Sequence, residues 1–344
     1  MGTSIVGIDI GATAIRAAEV VRSSKGATLS RYHSIALPPG AVTRGEIVEP
    51  HVVTGALKEL WKRGRFTTRR VVVGVGNDRV LARELTVPAA PLTLIRESLP
   101  FQVQDLLPVA TSEAILDFYP IADAGNGQVH GLLIAAVKDV VLTTIEALRK
   151  AKLETESVDF VPFALTRALP QRVGDGDAIA IVDVGAHTTT VVIARSGVPQ
   201  FVRIIPSGGD EVTQTLNARL GLERPVAEDA KRALGLALGG FAPHDQPLVE
   251  AIREVTGELV TGVRNTVTYF ATARPDLPVR RVVLTGDGTS LGGFAGALGE
   301  VMRLPIEWGD PIAPLQTRDR DRDRLTTEGN RAAVALGLAM RSAA

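Results

Sequence analysis

The sequence contains no cysteine, no excess of charge and no long apolar run. The absence of cysteine excludes a disulfide framework, thiolate catalysis and cysteine-ligated zinc. The 38 basic and 38 acidic residues cancel, so the charge favours neither nucleic acid nor an anionic membrane as the main ligand. The most apolar stretch, Ala233–Ala242, falls well below the roughly 20 residues of a membrane span.

Several familiar motifs are also missing. The chain has no G-x-x-x-x-G-K-[ST], G-x-S-x-G or H-E-x-x-H, and its five histidines show no metal-ligand spacing. A strand pattern begins at Ile5 without a basic leader and a long apolar core, so no signal peptide is predicted. With 344 residues, of which 45% are apolar, we expect a folded cytoplasmic protein of two or three domains.

One stretch occurs twice. Val6–Glu19 and Ala180–Ile193 both read apolar–Asp–apolar–Gly–Ala, about half the chain apart. Each pattern predicts a strand, a tight tip and a second strand. A third strand, a helix and a further strand follow in both halves. Because an internal repeat of this length reflects the fold, we predict an α/β protein with two duplicated lobes.

A separate α/β unit interrupts the first half. Leu81–Ala151 predicts strand, helix, strand, strand and helix, with the first helix broken near Pro100. The pattern of the first lobe resumes at Glu154, and Gly174–Asp177 predicts a boundary turn. The predicted division is lobe 1 at 1–80, 152–176 and 327–341, an inserted subdomain at 81–151, and lobe 2 at 177–215 and 274–326 with a subdomain at 216–273.

The second half predicts five helices and one charged loop. The alternation of Arg and Asp in Arg318–Arg324 is typical of a solvated loop. The predicted helices are Asp210–Leu220, Val226–Leu238, Leu248–Ala273, Leu291–Met302 and Gly329–Met340.

The two repeated tips are candidate phosphate sites. Glycine and alanine let backbone N–H groups approach an anion closely, as in Gly11-Ala12-Thr13 and Gly185-Ala186-His187-Thr188. Asp9 and Asp183 beside polyphosphate would require a divalent cation, which predicts Mg²⁺ at this carboxylate pair. The alternative is a tight Asx-type hairpin turn, and for His187 alone a tolerated, exposed histidine.

Further candidates lie in the second half. Gly208-Gly209 precedes a helix and can offer N–H groups to a phosphate, or can form a turn with Asp210 as the helix cap. Gly286-Asp287-Gly288 follows a buried strand, which is typical of a ribose or base cradle. Glu228 and Lys231 stand one helical turn apart, and either face the same pocket or form an ordinary surface pair.

These motifs together resemble the actin-like ATPase superfamily, in the superfamily's order of first phosphate, second phosphate and adenosine motifs. Within it, the chain resembles the PilM family of type IV pilus assembly proteins, which is similar to the cell-division protein FtsA. The superfamily resemblance rests on Asp9–Arg16, Asp183–Thr190, Pro206–Thr213, Ala227–Leu234 and Val282–Phe294. The PilM resemblance rests on Leu99–Ile121, Val158–Leu169 and Ala335–Arg341.

The resemblance implies ATP or ADP with Mg²⁺ between the lobes, with Arg16 among the nucleotide-binding residues. It also implies a partner, the N-terminal cytoplasmic tail of a PilN-like bitopic inner-membrane protein, held in a groove near the inserted subdomain. PilO and the pilus motor would be reached indirectly. The protein would lie at the inner face of the cell membrane only through its partners.

Two positions depart from the superfamily pattern. The glutamate that often precedes the proline of the connecting helix, where it helps to position the attacking water, is here Val161, before Pro162. Valine cannot polarise water, so at most a slow ATPase is expected. The usual glycine pair of the adenosine motif is Gly286-Asp287, and an inward-pointing Asp287 would weaken nucleotide binding or bond to the base or ribose.

Two alternatives share this fold. An FtsA-like filament-forming tether needs a C-terminal amphipathic anchor, and the ending at Ala344 shows none, so this function is not expected. A small-molecule kinase needs a catalytic carboxylate and a sugar cleft, for which no clear candidate is present.

Overall fold

The computed structural model describes residues 3–24, 26–169, 177–236, 238–317 and 319–341, with residues 319–327 described by their backbone alone. Two five-stranded sheets, one three-stranded sheet and a two-stranded hairpin make up its β structure.

The first sheet opens with three antiparallel strands. They are β1 (Thr3–Ile10), β2 (Ala14–Ser23) and β3 (Gly26–Ala36). The β1–β2 pairing sets Asp9 opposite Arg16. The repeated stretch therefore forms the predicted hairpin, with its carboxylate at the end of the first strand.

A short hairpin of β4 (Val42–Thr43) and β5 (Glu46–Ile47) follows. Helix α1 (Pro50–Gly64) begins at a proline, whose missing N–H costs nothing in the first turn, and buries Val53, Leu57 and Leu60. Strand β6 (Arg70–Val75) then pairs in parallel with β1.

The predicted insertion forms its own sheet. Its elements are β7 (Val80–Pro88), α2 (Leu92–Gln102), β8 (Ala114–Gly125), β9 (Gln128–Val137) and α3 (Lys138–Lys150). The sheet order is β7-β9-β8 and both pairings are antiparallel. Helix α2 contains Pro100 and ends soon after it, as predicted.

The chain returns to the first sheet with β10 (Glu154–Phe160), beside β6, and continues into α4 (Val161–Ala168). The second half supplies ten elements. They are β11 (Ala178–Val184), β12 (Thr189–Arg195), β13 (Val198–Ile205), α5 (Gly209–Leu220), α6 (Arg224–Leu234), α7 (Gln246–Ala273), β14 (Val279–Thr285), α8 (Phe294–Met302), β15 (Ile306–Trp308) and α9 (Asp319–Ala339).

The two large sheets share one topology. Their orders are β3-β2-β1-β6-β10 and β13-β12-β11-β14-β15. In each, the first three strands are antiparallel and the last two are added in parallel. The predicted duplication is therefore confirmed, strand by strand.

The sheets and helices stack in five layers. Helices α1 and α3 cover one face of the first sheet, and α7 and α8 cover the far face of the second. Helices α4 and α9 fill the space between the sheets. They cross closely at Gly337, where a Cβ atom would lie 1.9 Å from the Ala164 carbonyl oxygen, so only glycine fits.

Four predicted boundaries are wrong. The predicted charged loop over Arg318–Arg324 is helical from Asp319, and the final helix is longer than predicted, because adding residues to a packed helix costs little once it is nucleated. Helix α6 ends at Leu234, where Gly235 takes a positive φ of 50°. Helix α8 starts at Phe294, after a 3₁₀ turn. The N-cap of α5 is Gly208 and not Asp210.

No helix in the described ranges is both long and apolar enough to cross a membrane. The predicted boundary turn at Gly174–Gly176 lies outside the described residues. The subdomain limits given above stay a prediction.

Candidate functional site

The two repeated hairpin tips close in the same way. In the first, the Gly11 N–H donates to the Ala14 carbonyl oxygen at 3.0 Å. In the second, the Gly185 N–H donates to the Thr188 carbonyl oxygen at 2.9 Å. Both tips border one cavity between the lobes, so the duplication brings two equivalent loops to the same site.

That cavity has a wide part of about 1190 Å³ and a narrow chamber of about 130 Å³ beneath it. Its size is suited to a ligand of nucleotide dimensions. Every site residue predicted from the sequence lines one part or the other. These are Asp9, Gly11, Ala12, Thr13, Arg16, Asp183, Gly185, Ala186, His187, Thr188, Gly208, Gly209, Glu228, Lys231, Gly286, Asp287 and Gly288.

Two buried carboxylates, Asp9 and Asp183, line the narrow chamber. Burial, reinforced by the nearby Asp9 carboxylate, raises the pKa of Asp183 to about 7. Burial also raises the pKa of Asp9, although the Arg16 guanidinium opposes this. Two buried like charges repel, and a divalent cation between them relieves that repulsion. Among the described residues, no three carboxylate, histidine or cysteine side chains are placed so that they could hold one metal ion, so a metal here would complete its shell with water and phosphate.

Asp287 joins the two lobes at the base of the cavity. Arg16 Nη2 lies 2.5 Å from Asp287 Oδ2, and Arg16 Nη1 lies 3.7 Å from Asp9 Oδ2. The Asp287 carboxylate also binds Arg331 of α9. Its carboxylate therefore points inward and is held by two arginines. The neighbouring Gly286 has a φ of +90°, and a Cβ atom there would lie 2.4 Å from the Val184 carbonyl oxygen.

His187 bridges the lobes instead of standing exposed, so the expectation of an exposed histidine is wrong. Its Nδ1 accepts a hydrogen bond from the Arg44 backbone N–H at 3.2 Å, and its Nε2 lies 3.2 Å from Asp210 Oδ2. Asp210 is only 4% exposed. Although burial would raise it, hydrogen bonds from His187, Gln214 and Arg224 hold the pKa of Asp210 well below its usual range.

The Asp210 side chain therefore holds the second tip through His187 and does not cap helix α5. The predicted helix cap is wrong because its carboxylate is drawn to these three side chains, while Gly209 N–H and Asp210 N–H donate to the Gly185 and Ala186 carbonyl oxygens at 2.9 and 2.8 Å. The start of α5 is thus bonded directly to the second tip.

Glu228 and Lys231 do face the cavity. Lys231 Nζ donates to Glu228 Oε1 at 3.0 Å, to Thr213 Oγ1 at 2.8 Å and to the Gly209 carbonyl oxygen at 3.0 Å. Burial alone would raise the pKa of Glu228, but the hydrogen bonds from Thr213 and Lys231 lower it below its usual value. This pair ties α6 to α5 at the wall of the wide part.

Val161 closes the narrow chamber on the side where a catalytic glutamate is expected. Its side chain packs on Gly74 and Gly76, where a Cβ atom would approach it to 2.9 and 2.6 Å. Among the described residues that line this chamber there is no glutamate. At Val161 the wall of the chamber is therefore apolar, and this position offers no general base that could activate a water molecule.

Several cavity residues escaped the sequence-based prediction. Arg331 and Asn330 lie on α9, Arg224 begins α6, and Arg44 lies at the tip of the β4–β5 hairpin. Two-residue strands such as β4 and β5 carry no readable periodicity. None of these four residues belongs to the repeat or to the motifs described above.

A second concavity, a groove of about 830 Å³, runs between the insertion and lobe 2. Residues 78–84 line it consecutively, and since alternate side chains point to opposite faces, the groove follows the unpaired edge of β7. The facing wall is β13, the edge strand of the second large sheet. Tyr269 of α7, 61% exposed, stands at its rim. We call this the β7–β13 groove.

This fold is the actin-like ATPase fold. Solved structures with the same fold include the ethanolamine utilization protein EutJ from Carboxydothermus hydrogenoformans, with 14% identity, a TM-score of 0.58 and coverage of 99% of this chain and 90% of that one. MreB5 of Spiroplasma citri has 10% identity, a TM-score of 0.55 and coverage of 97% and 94%.

A narrower match assigns the family. The model of the type IV pilus assembly protein PilM matches residues 7–343, so the chain belongs to the PilM family. A solved PilM-PilN type IV pilus biogenesis complex is 29% identical, with a TM-score of 0.87 and coverage of 98% of both chains. The protein is therefore an actin-like component of type IV pilus assembly, and the resemblance seen in its motifs is confirmed.

FtsA proteins are more distant relatives. FtsA of Bacillus subtilis is 23% identical over 248 residues, which cover 64% of this chain and 54% of that protein. FtsA of Streptococcus pneumoniae is 26% identical over 258 residues, which cover 75% and 52%. The chain spans about half the length of these curated relatives.

The raised pKa of Asp183 predicts how Asp183→Asn changes stability with pH. The unfolded chain loses this proton near pH 4 and the folded chain near pH 7, so wild-type stability falls as the pH rises between them. Asparagine carries no such penalty. We expect the variant to gain about 2–3 kcal/mol of unfolding free energy relative to wild type between pH 5 and pH 8, measured by urea unfolding without nucleotide or Mg²⁺.

The control is Asp123→Asn, which changes an exposed carboxylate on β8. Its difference from wild type should stay constant over the same range. If the Asp183→Asn difference is equally independent of pH, the carboxyl is not held in the protonated state by its surroundings.

Proposed function

We propose that the protein binds ATP or ADP with Mg²⁺ between its lobes and serves pilus assembly as an adaptor for the N-terminal tail of a PilN-like membrane protein. One observation carries the nucleotide assignment. Two equivalent, closed tips with buried carboxylates face one cavity, which is how a polyphosphate is gripped from both sides. The related fold of MreB5 of Spiroplasma citri was solved with AMPPNP and with ADP.

Different residues of the cavity would bind the phosphates and the adenosine of the nucleotide. The tips at Gly11-Ala12-Thr13 and Gly185-Ala186-His187-Thr188 would hold the phosphates through the backbone N–H groups that do not close the tips, and Gly208-Gly209 would line the phosphate site at the start of α5. The residues assigned to adenosine are Glu228, Lys231, Gly286, Asp287 and Gly288. Arg16 would contribute positive charge at the base of the cavity.

Asp9 and Asp183 would hold Mg²⁺, in part through water. When bound, the ion neutralises phosphate charge beside the two carboxylates. The buried pair supports this choice, because the burial that raises both pKa values leaves the carboxylates short of compensating charge.

The partner assignment rests on the match to a PilM-PilN complex over 98% of both chains. We infer that the tail binds in the β7–β13 groove as an extended segment along the unpaired edge of β7. Arg83 and Arg203 line this groove and form no ion pair with described residues, so they are available to acidic groups of the tail. Leu81, Phe201 and Tyr269 give the same groove an apolar wall.

This adaptor would work in the cytoplasm, at the inner face of the membrane, and would reach PilO and the pilus motor through the tail-bearing protein. A nucleotide that binds one relative orientation of the lobes more tightly shifts the population toward it. Such a switch needs binding and release but no rapid turnover.

We expect Asp9→Ala and Asp183→Ala each to weaken Mg-ATP binding about tenfold or more, since each removes a carboxylate that positions the ion. Isothermal titration calorimetry gives the affinities. Asp229→Ala is the control, because Asp229 lies on α6 beside Glu228 with its side chain 81% exposed. Unchanged Mg-ATP affinity in both site variants would sink the assignment.

Hydrolysis should be slow, because Val161 offers no group that can polarise water. We expect phosphate release by the wild-type protein below about one per second, the low end of ordinary enzymes. A faster rate in a coupled phosphate assay would show that another residue supplies the base.

The tail assignment predicts that a synthetic peptide with the N-terminal tail of the organism's PilN-like protein binds, and that Tyr269→Ala weakens it about tenfold. Tyrosine is among the residue types that most often dominate the affinity of an interface. Fluorescence anisotropy measures both. Trp308→Ala is the matched control. Trp308 is an aromatic residue, 52% exposed, on β15, which is the edge strand of the second large sheet farthest from β13 and the groove.

The outcomes separate the partner from the groove. Tail binding that Tyr269→Ala leaves intact places the tail elsewhere on the surface. No binding of the peptide, together with filaments that pellet in ATP, would favour the FtsA-like alternative.

A further inference from the structure

The cations that line the cleft are almost all held by carboxylates. The paired ones are Arg16, Arg224, Lys231, Arg232 and Arg331. Of the arginines and lysines that line the cleft in the described ranges, Arg44 alone makes no side-chain ion pair. An unpaired guanidinium at the wall of a polyphosphate site is a ready ligand for phosphate oxygens.

Arg44 and Gly45 form the two-residue tip of the β4–β5 hairpin. Their φ values are +49° and +76°. Positive φ at both central residues is what a tight hairpin turn of type I′ requires. The turn therefore fixes the backbone of Arg44 at the tip.

The tip is fixed from three sides. Asn77 Nδ2 donates to the Gly45 carbonyl oxygen at 3.1 Å, and Arg79 Nε binds Glu46 Oε1 at 2.7 Å. A Cβ atom at Gly45 would lie 2.6 Å from the Asn77 Cβ, so the two segments are in tight contact. A side chain on so constrained a tip is presented in a limited volume, which lowers the entropy lost on binding.

The third contact crosses the cleft. The Arg44 N–H donates to His187 Nδ1 in the second tip, and His187 is bound in turn to Asp210. Arg44 of lobe 1 therefore stands beside a phosphate loop of lobe 2. Gly45 lines the narrow chamber together with both repeated tips and the carboxylates of Asp9 and Asp183, and Arg44 lines the adjoining wide part. The tip lies at the phosphate end of the cleft.

We propose that Arg44 binds the terminal phosphate of the nucleotide and thereby distinguishes a triphosphate from a diphosphate. This inference rests on the proposed nucleotide binding. The terminal phosphate is the only part of ATP that ADP lacks, so an arginine that contacts it adds affinity to ATP alone. The same contact lets lobe 1 sense the nucleotide state through a hairpin already bonded to lobe 2.

The test compares ATP and ADP affinities, both with Mg²⁺, by calorimetry. Arg44→Ala should weaken ATP binding about tenfold, the loss typical of one charge-assisted hydrogen bond, and should change ADP affinity less than about twofold. Arg44→Lys should retain most of the preference. Arg65→Ala is the matched control, because Arg65 is another exposed arginine of lobe 1 with a positive φ of 51°.

Each result decides the assignment. The assignment is supported if Arg44→Ala loses affinity for ATP but not for ADP, while Arg65→Ala loses neither. Equal losses for ATP and ADP, or no loss, overturn it while leaving nucleotide binding intact. Failure of the wild-type protein to bind either nucleotide overturns the proposed function, and this inference with it. If Arg44→Ala is unstable in thermal unfolding, Arg44→Gln gives the same comparison with a longer neutral side chain.

Discussion

The ion pair between Arg16 and Asp287 is the contact on which the cleft depends. It joins β2 of the first lobe to the loop after β14 of the second, and Arg331 of α9 binds the same carboxylate. Asp9 and Asp183 lie beside it, so the floor of the cleft contains three carboxylates and two guanidinium groups. A partly buried pair of this kind adds little net stability, because desolvation offsets the attraction. Its main effect is to specify how the lobes face each other. Without Asp287, Arg16 keeps only its contact with Asp9 of its own lobe.

The same charges explain how a nucleotide would act on the shape of the protein. On the proposed function, phosphate oxygens compete for Arg16 and Arg331, and Mg²⁺ competes for Asp9 and Asp183. The ion pair and the nucleotide therefore address the same groups, so the lobe orientation that binds nucleotide best need not be the one that Asp287 favours. A ligand shifts such an equilibrium only by its difference in affinity for the two states. Val161, which packs on Gly74 and Gly76, adds no charged group to this set.

The sequence predicts those parts of the site whose residues lie close together in a short motif. The Asp-x-Gly tips, the strand before Gly286 and the pair Glu228–Lys231 each fall within a few residues, and all of them line the cleft. The contacts that organise the cleft are different in kind. Arg16 and Asp287 are 271 positions apart, and the Arg44–His187 bond spans 143, so neither can be deduced from local periodicity. His187 was predicted to be exposed because no local pattern shows that a two-residue hairpin reaches it.

That hairpin also explains why the cleft and the β7–β13 groove are not independent regions of the surface. Its tip bonds to His187 in the cleft, while Glu46 binds Arg79 and Gly45 accepts from Asn77. Arg79 directly precedes β7 and lines the groove. The path from the cleft to the groove therefore runs from His187 through the hairpin tip and Glu46 to Arg79. The connection is made of two hydrogen bonds and one ion pair at the tip of the hairpin. Any coupling between ligands in the two cavities along this path must be reciprocal.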